Sequence, residues 1–171
     1  MQYENVVFPD SIGFQCRGCS VCCRNQPPDI NFKEQQKIED RGYINFLENP
    51  KDPGNRNIRR NKEGSCFFLT DKNKCKIHAE KPLICILEPF VITDFDYRTN
   101  TIFLSLNPLA SQNCKGIFGG EIIALKEIAN AAQTIIKECS EIISQKTGLP
   151  VTDKKVGYLT KKLVKEFQSR K

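Results

Sequence analysis

The sequence predicts a small α+β domain spanning residues 1–171, and three observations carry that reading. Seven of the nine cysteines fall within the first 85 residues, of which the first 28 are rich in turn formers and poor in periodicity. Residues 90–95 and 101–106 are β-prone and flank the turn sequence Asp96-Tyr-Arg-Thr-Asn100, so they read as a hairpin. Ile122, Leu125, Ile128, Ala132, Ile135, Cys139 and Ile142 recur every three or four residues, which predicts one long helix ended by Gly148-Leu-Pro150. The expected architecture is a loop-rich, cysteine-bearing half, residues 12–120, with short hairpins. It packs on a helical part, residues 120–171, made of the long helix and a C-terminal helix.

Taken in order, residues 1–28 end in Pro27-Pro28 and place the cysteine run in a loop. Asn31 is suited to cap a short helix carrying Phe32, Gln35 or Gln36, Ile38 and Glu39, which Gly42 stops. Residues 49–64 hold two prolines, two glycines and one apolar side chain, so they read as a loop. Cys66-Phe-Phe-Leu69, the turn Thr-Asp-Lys-Asn-Lys74 and Cys75-Lys-Ile77 read as a small hairpin with a cysteine opening each arm. After the long helix, residues 153–169 place Val156, Leu159, Leu163 and Phe167 on one stripe of the final helix.

A chain of this length normally buries about 70% of its unfolded surface unaided, so nothing further is needed merely to build a core. No run of eighteen apolar residues is present, and Met-Gln-Tyr-Glu-Asn at the start lacks a basic and an apolar leader region. The expectation is a soluble cytoplasmic protein with no membrane partner. In a reducing compartment, nine cysteines remain available as thiols, and an odd count with two adjacent residues fits a disulfide framework poorly.

The run Cys16-x2-Cys19-x2-Cys22-Cys23 carries the chemistry. Zinc modules use Cys-x2-Cys pairs, because a turn can aim two thiolates at one tetrahedral ion. A third cysteine at the same spacing is how a loop lines several corners of an iron–sulfur cube. The fourth ferredoxin cysteine is missing, since position 26 is Gln, so further ligands must come from elsewhere in the chain. Neighbouring side chains of an extended backbone leave in opposite directions. Cys22 and Cys23 therefore suggest two metal centres, or one polynuclear centre approached from two sides. Cys66, Cys75, Cys85 and Cys114 supply the complementary thiolates. The candidate ligands are Cys16, Cys19, Cys22, Cys23, Cys66, Cys75, Cys85 and Cys114, for an iron–sulfur cluster, [4Fe-4S] favoured, or for zinc.

The same residues carry a resemblance. Phe14-x-Cys16-x2-Cys19-x2-Cys22-Cys23, Cys66-x-Phe-Leu69, Cys75-x-Ile77, Lys81-Pro82-x2-Cys85, Glu88-Pro89-Phe90 and Cys114-Lys-Gly116 together resemble the YkgJ-like cysteine-cluster family of zinc- or iron-chelating domains over about residues 12–120. The family often has arginine where this chain has Lys81 and Ile86. The resemblance implies metal or cluster binding. Flagellin lysine methylases contain a similar segment, which implies protein methylation as one role. No glycine-rich nucleotide fingerprint after a strand accompanies it, and helix entry explains Gly116-Ile-Phe-Gly119-Gly120.

Other side chains have more ordinary readings. His78 could complete a Cys75-x2-His78 pair, although a surface or packing role is commoner. Cys139 lies on the apolar stripe of the long helix, where a free thiol behaves as a small hydrophobe. Arg56, Arg59, Arg60 and Lys62 form a basic loop, and the C-terminal lysines form the wet face of an amphipathic helix. The formal charge of +6 counts neutral thiols. With eight bound thiolates around two +2 cores it falls to about +2, which weakens a nucleic-acid reading. Hydrolytic catalysis has no support, and Cys16-Arg-Gly-Cys19 lacks the thioredoxin-like strand–helix context. The expected function is metal binding with a redox or methyl-transfer role. The alternative is a structural zinc module presenting a basic surface to nucleic acid or a protein partner.

Overall fold

The computed structural model describes residues 2–25, 27–52 and 56–169, with backbone only for 25 and 167–169. Strands β1 (Gln2–Tyr3), β2 (Val6–Val7), β4 (Phe90–Asp96) and β5 (Thr101–Leu106) form one sheet in the order β1-β2-β5-β4. The expected hairpin is β4–β5, antiparallel from Phe90↔Leu106 to Asp96↔Thr101. β2 joins β5 in parallel. A bulge between Ile92 and Asp94 resets the alternation of β4, so that Phe90, Ile92 and Phe95 all face inward. β3 (Gly13–Phe14) pairs antiparallel with β6 (Ile117–Phe118) in a second, two-stranded sheet.

Helix α5 (Leu125–Thr147) is the expected long helix, and it ends at Gly148, φ 69°. Ile128, Ala129, Ala132 and Ile136 are its buried face, while Ile142 is exposed and Ile122 precedes the helix. α6 (Lys154–Ser169) packs on α5 and on β4. Its buried stripe is Val156, Thr160 and Val164, one residue round from the expected one, with Leu159 and Leu163 at its margin. The Phe167 side chain lies outside the described residues. The shift follows from Thr160, whose Oγ1 donates to Val156 O and pairs with the Ser140 hydroxyl, giving the helix crossing a buried hydroxyl pair.

Two hydrophobic cores result. The larger holds Val6, Phe8, Phe14, Phe90, Ile92, Ile102, Leu104, Ile128 and Ile136, with α3 (Leu83–Leu87) contributing Leu87. Phe8 and Phe14 both meet Phe90 edge to face. The smaller holds Ile30, Ile38, Phe46, Ile58, Cys66, Phe68 and Ile77. Every one of its buried members lies within residues 30–77, so the chain leaves the larger core after the cysteine run and returns at α3.

Regular structure is sparse in that excursion. α2 (Phe32–Asp40) forms where expected, capped by Asn31, whose Oδ1 accepts from Glu34 N, while Glu34 Oε2 accepts from Asn31 N. The expected Cys66/Cys75 hairpin is reduced to single bridges, Arg60↔Cys66 and Leu69↔Cys75. The reason is local: Leu69 N bonds back to Cys66 O, so residues 66–69 turn instead of extending. Residues 53–55 of the expected loop lie outside the described residues, and its remainder is irregular apart from isolated bridges at Asn57, Ile58 and Arg60. Among the described residues no helix is long and apolar enough to cross a membrane.

Candidate metal centre

A cavity of about 1300 Å³ lies between the two cores, walled by Phe14, Ile92 and Ile128 from one and Ile58, Phe68 and Ile77 from the other. Cys16, Cys19, Cys22, Cys23, Cys66, Cys75, Cys85 and Cys114 all line it. Cys139 packs instead at the edge of the larger core. There burial, with Glu138 beside it, raises its thiol to about 11. All nine cysteines are free thiols.

Local chain geometry delivers each thiol. Cys16 and Cys19 sit in the loop after β3, which turns at Gly18 in the left-handed region, φ 63°. That loop is pinned to residues 114–123 by Gln15 N to Gly116 O at 3.0 Å and Ile123 N to Phe14 O at 2.9 Å. Gly116 is required there, because a Cβ would collide with Gln15 O. Cys114 ends α4 (Pro108–Asn113), its N–H donating to Ala110 O. Cys66 N donates to Cys23 O at 2.8 Å, and Cys75 sits on the Leu69 bridge. Cys85 lies on α3.

The expected geometry of the vicinal pair is corrected here. Cys22 and Cys23 are on a short helix, α1 (Val21–Asn25), rather than on extended backbone in a loop, and their sulfurs are 4.0 Å apart. Both reach the same cavity. Cys22 is exposed, and it lines the cavity.

The sulfurs are supplied with backbone donors in a repeated pattern. The amide two residues ahead donates to the sulfur at Cys19 (from Val21), Cys66 (from Phe68), Cys75 (from Ile77) and Cys114 (from Gly116). Such bonds favour the thiolate, the form that binds metal. At Cys19 burial opposes ionisation, but the Val21 and Lys115 amides and the Cys114 thiol outweigh it and hold the thiol below its ordinary range. Burial pushes Cys66, Cys75, Cys85 and Cys114 up, and neighbouring thiols add to it. Cys22 is pushed up by its bond with Cys23, by burial and by the Glu88 carboxylate. Crowded thiols that repel one another as anions are what a cation relieves.

Among the described residues, no three Cys, His, Asp or Glu side chains already converge as ligands of one ion. What fits a metal is the donor chemistry: soft thiols lining one cavity, most with amide donors at the sulfur. His78, exposed in a 3-10 turn (His78–Glu80), lines the cavity as well.

Four residues support the site, and of these Gly116 alone stood in a motif of the sequence. Glu34 Oε1 accepts from Leu83 N at 2.6 Å, so the residue completing the α2 cap also ties α2 to the helix bearing Cys85. Burial raises its carboxyl against that bond. Asn73 Oδ1 accepts from Ser20 Oγ and Arg24 Nη2, docking the 70–74 turn on the cysteine run. Asn107 Nδ2 donates to Glu88 Oε1, which stands beside Cys22 and Cys85. Gly116 is the fourth.

The family model CxxCxxCC, described as "Putative zinc- or iron-chelating domain", matches residues 15–107, a little over half of the chain. The match takes in the cysteines from Cys16 to Cys85 and stops short of Cys114. An uncharacterised protein of Methanocaldococcus jannaschii is 30% identical over 144 residues, covering 77% of this chain and 72% of that protein. No solved structure matches the chain.

Proposed function

The chain belongs to the CxxCxxCC family of zinc- or iron-chelating domains, and we propose that its cavity holds iron–sulfur through Cys16, Cys19, Cys22, Cys23, Cys66, Cys75, Cys85 and Cys114. The observation that carries this reading is that all eight thiols, drawn from five separate stretches of chain, line one cavity. The triple Cys-x2 spacing favours iron–sulfur over a single zinc. Amide bonds to the sulfurs are among the means by which a protein tunes a cluster's potential.

A cluster held there supplies one-electron chemistry, in a redox role or in modification of a protein such as methyl transfer. This chain's residues hold it, shield it between two apolar cores, and set its electrostatics through Glu88 and the amides of Val21, Phe68, Ile77 and Gly116. The zinc-module alternative relied on the basic loop. Arg59 instead lies over the Phe67 ring at 4.3 Å and donates to Asn45 O, while Arg60 donates to Gly64 O. These guanidinium groups are occupied in holding the smaller core's surface.

Iron, zinc and acid-labile sulfide per chain, with a visible spectrum, test the proposal on protein purified without oxygen. Several irons with matching sulfide and brown absorption are expected. Zinc without sulfide, in a colourless protein, overturns the cluster and leaves a structural zinc domain.

A further inference from the structure

We propose that Glu34 is a positioning residue for the metal centre. Its one carboxylate joins the point where the chain enters the smaller core to the point where it re-enters the larger, and so fixes how the two walls of the cavity stand against each other. This rests on the reading that the cavity thiols hold metal.

The thiols stand on both walls. Cys23, Cys66 and Cys75 pack with the smaller core, whereas Cys114 packs on the larger. Cys85 is on α3, whose Ile84 and Leu87 are packed into the larger core. A metal that draws thiolates from both sides needs the walls at a fixed separation, because metal–ligand distances hold to about 0.2 Å.

Glu34 sits where that separation is set. Ile30 is the first buried residue of the smaller core, Asn31 follows it, and Leu83 opens α3. Glu34 Oε2 accepts from Asn31 N at 2.9 Å, and Oε1 accepts from Leu83 N at 2.6 Å. The first bond belongs to the α2 cap, which needs only one oxygen. The second crosses 49 residues of chain to α3, whose own N-cap, Pro82, supplies no side-chain bond. Asn31 Nδ2 donates in turn to Glu138 Oε2 at 2.8 Å, so the same cap is also tied to α5. Neither Glu34 nor Leu83 lines the cavity, so both act through the packing of the cores and not as ligands.

A carboxylate that served only as a cap could face water. Here burial pushes the Glu34 carboxyl up and Glu138 adds to it, against the pull of the Leu83 and Asn31 amides and of Lys37. Taking away its bonds is therefore costly, because a half-buried donor or acceptor is left unpaired. Two ion pairs lie along the same seam, Arg41–Glu80 and Lys81–Glu127, each with an exposed member, and such pairs contribute little. The charge-assisted bonds of Glu34 to backbone hold the seam.

The test uses the full chain, purified without oxygen with the metal it carries. Release of that metal into a chelator is followed by absorption and metal analysis, with circular dichroism as the fold control. Glu34→Ala removes both bonds. Leu83→Pro removes only the N–H, in the first turn of a helix where proline is tolerated, and Pro82, at φ −56° and ψ 153°, already has the backbone that a following proline requires. Leu83→Ala keeps the N–H and controls for the side chain. Glu34→Ala and Leu83→Pro are expected to release metal roughly tenfold faster than wild type, with altered absorption and helical content intact, while Leu83→Ala matches wild type. Leu83→Pro that releases metal no faster than Leu83→Ala overturns the proposal and leaves Glu34 a helix cap alone, a comparison that stands even where Glu34→Ala does not fold. Wild type that carries no metal is a different failure, that of metal binding itself, and removes the proposal with it.

Discussion

The two cores are built on different principles, although they share one cavity. The larger draws residues from 6–14 and from 87 onward, and a sheet and two long helices bury its apolar faces. The smaller is made entirely within residues 30–77 from one nine-residue helix, isolated bridges and a knot of aromatic rings around Phe68. Sheet and helix ladders satisfy backbone groups cooperatively, whereas irregular chain relies on side chains and ligands to fix it. Four of the candidate ligands, Cys22, Cys66, Cys75 and Cys85, stand where the excursion begins, folds and ends. The comparison teaches that a metal bound by these thiols would double as the closure of the less regular half.

Removing metal should break the symmetry between the halves most severely. Structural thiolate metals contribute on the order of 10 kcal/mol to the fold they close. Chelation, or C85A, should strip hydrogen-exchange protection from amides 30–77, while β4, β5 and α5 keep theirs. Uniform loss across both cores would refute the contrast.

Truncating one ring in each core sharpens it. Phe68 is fully buried among Tyr43, Phe46 and Phe67, and Phe90 is 1% exposed between Phe8 and Phe14. Each change to alanine should cost about 3–5 kcal/mol. F68A should lower metal content at 25 °C, whereas F90A should lower the global Tm with metal retained until unfolding; metal analysis beside a thermal scan separates the two.

Gly116→Ala strikes the join between the loop of Cys16 and Cys19 and the segment after Cys114. The added methyl meets Gln15 O, so β3 and β6 must part, at about 1–3 kcal/mol. The expected readout is reduced metal content, measured by metal analysis and absorption. Asn31→Ala removes the α2 cap and should cost about 1 kcal/mol, read from denaturant midpoints.

The smallest effect belongs to Asp94, whose carboxyl a hydrogen bond from Lys161 holds below the usual range, with Lys165 also near. A lowered folded pKa stabilises above about pH 4 and is lost as pH falls through the folded value. Asp94→Asn should flatten the acid limb of Tm against pH in that window while leaving neutral-pH metal content unchanged.

Much of this was readable from residue order because it is local. The period of α5, the β4–β5 hairpin, the Asn31 cap and the Cys-x2 turns each report contacts within a few residues, and such contacts survive whatever the rest of the chain does. Residue type alone likewise marked the eight thiols as one chemistry and Cys139 as packing. The misreadings were also local in cause. The Cys66/Cys75 hairpin looked extended until the Leu69-to-Cys66 bond turned it, and the α6 stripe moved one residue because Thr160 found Ser140 on another helix.

Long-range closure decided the remainder. That Cys22 and Cys85 line one cavity, that Glu34 reaches Leu83, and that Gly116 touches Gln15 depend on the chain returning across an excursion or from the far side of the sheet. No spacing encodes such meetings, since they follow from how two cores pack and leave a cavity between them. Amino-acid order therefore set which atoms can bind metal, and tertiary packing set which of them stand together, because donor chemistry belongs to the side chain and proximity belongs to the fold.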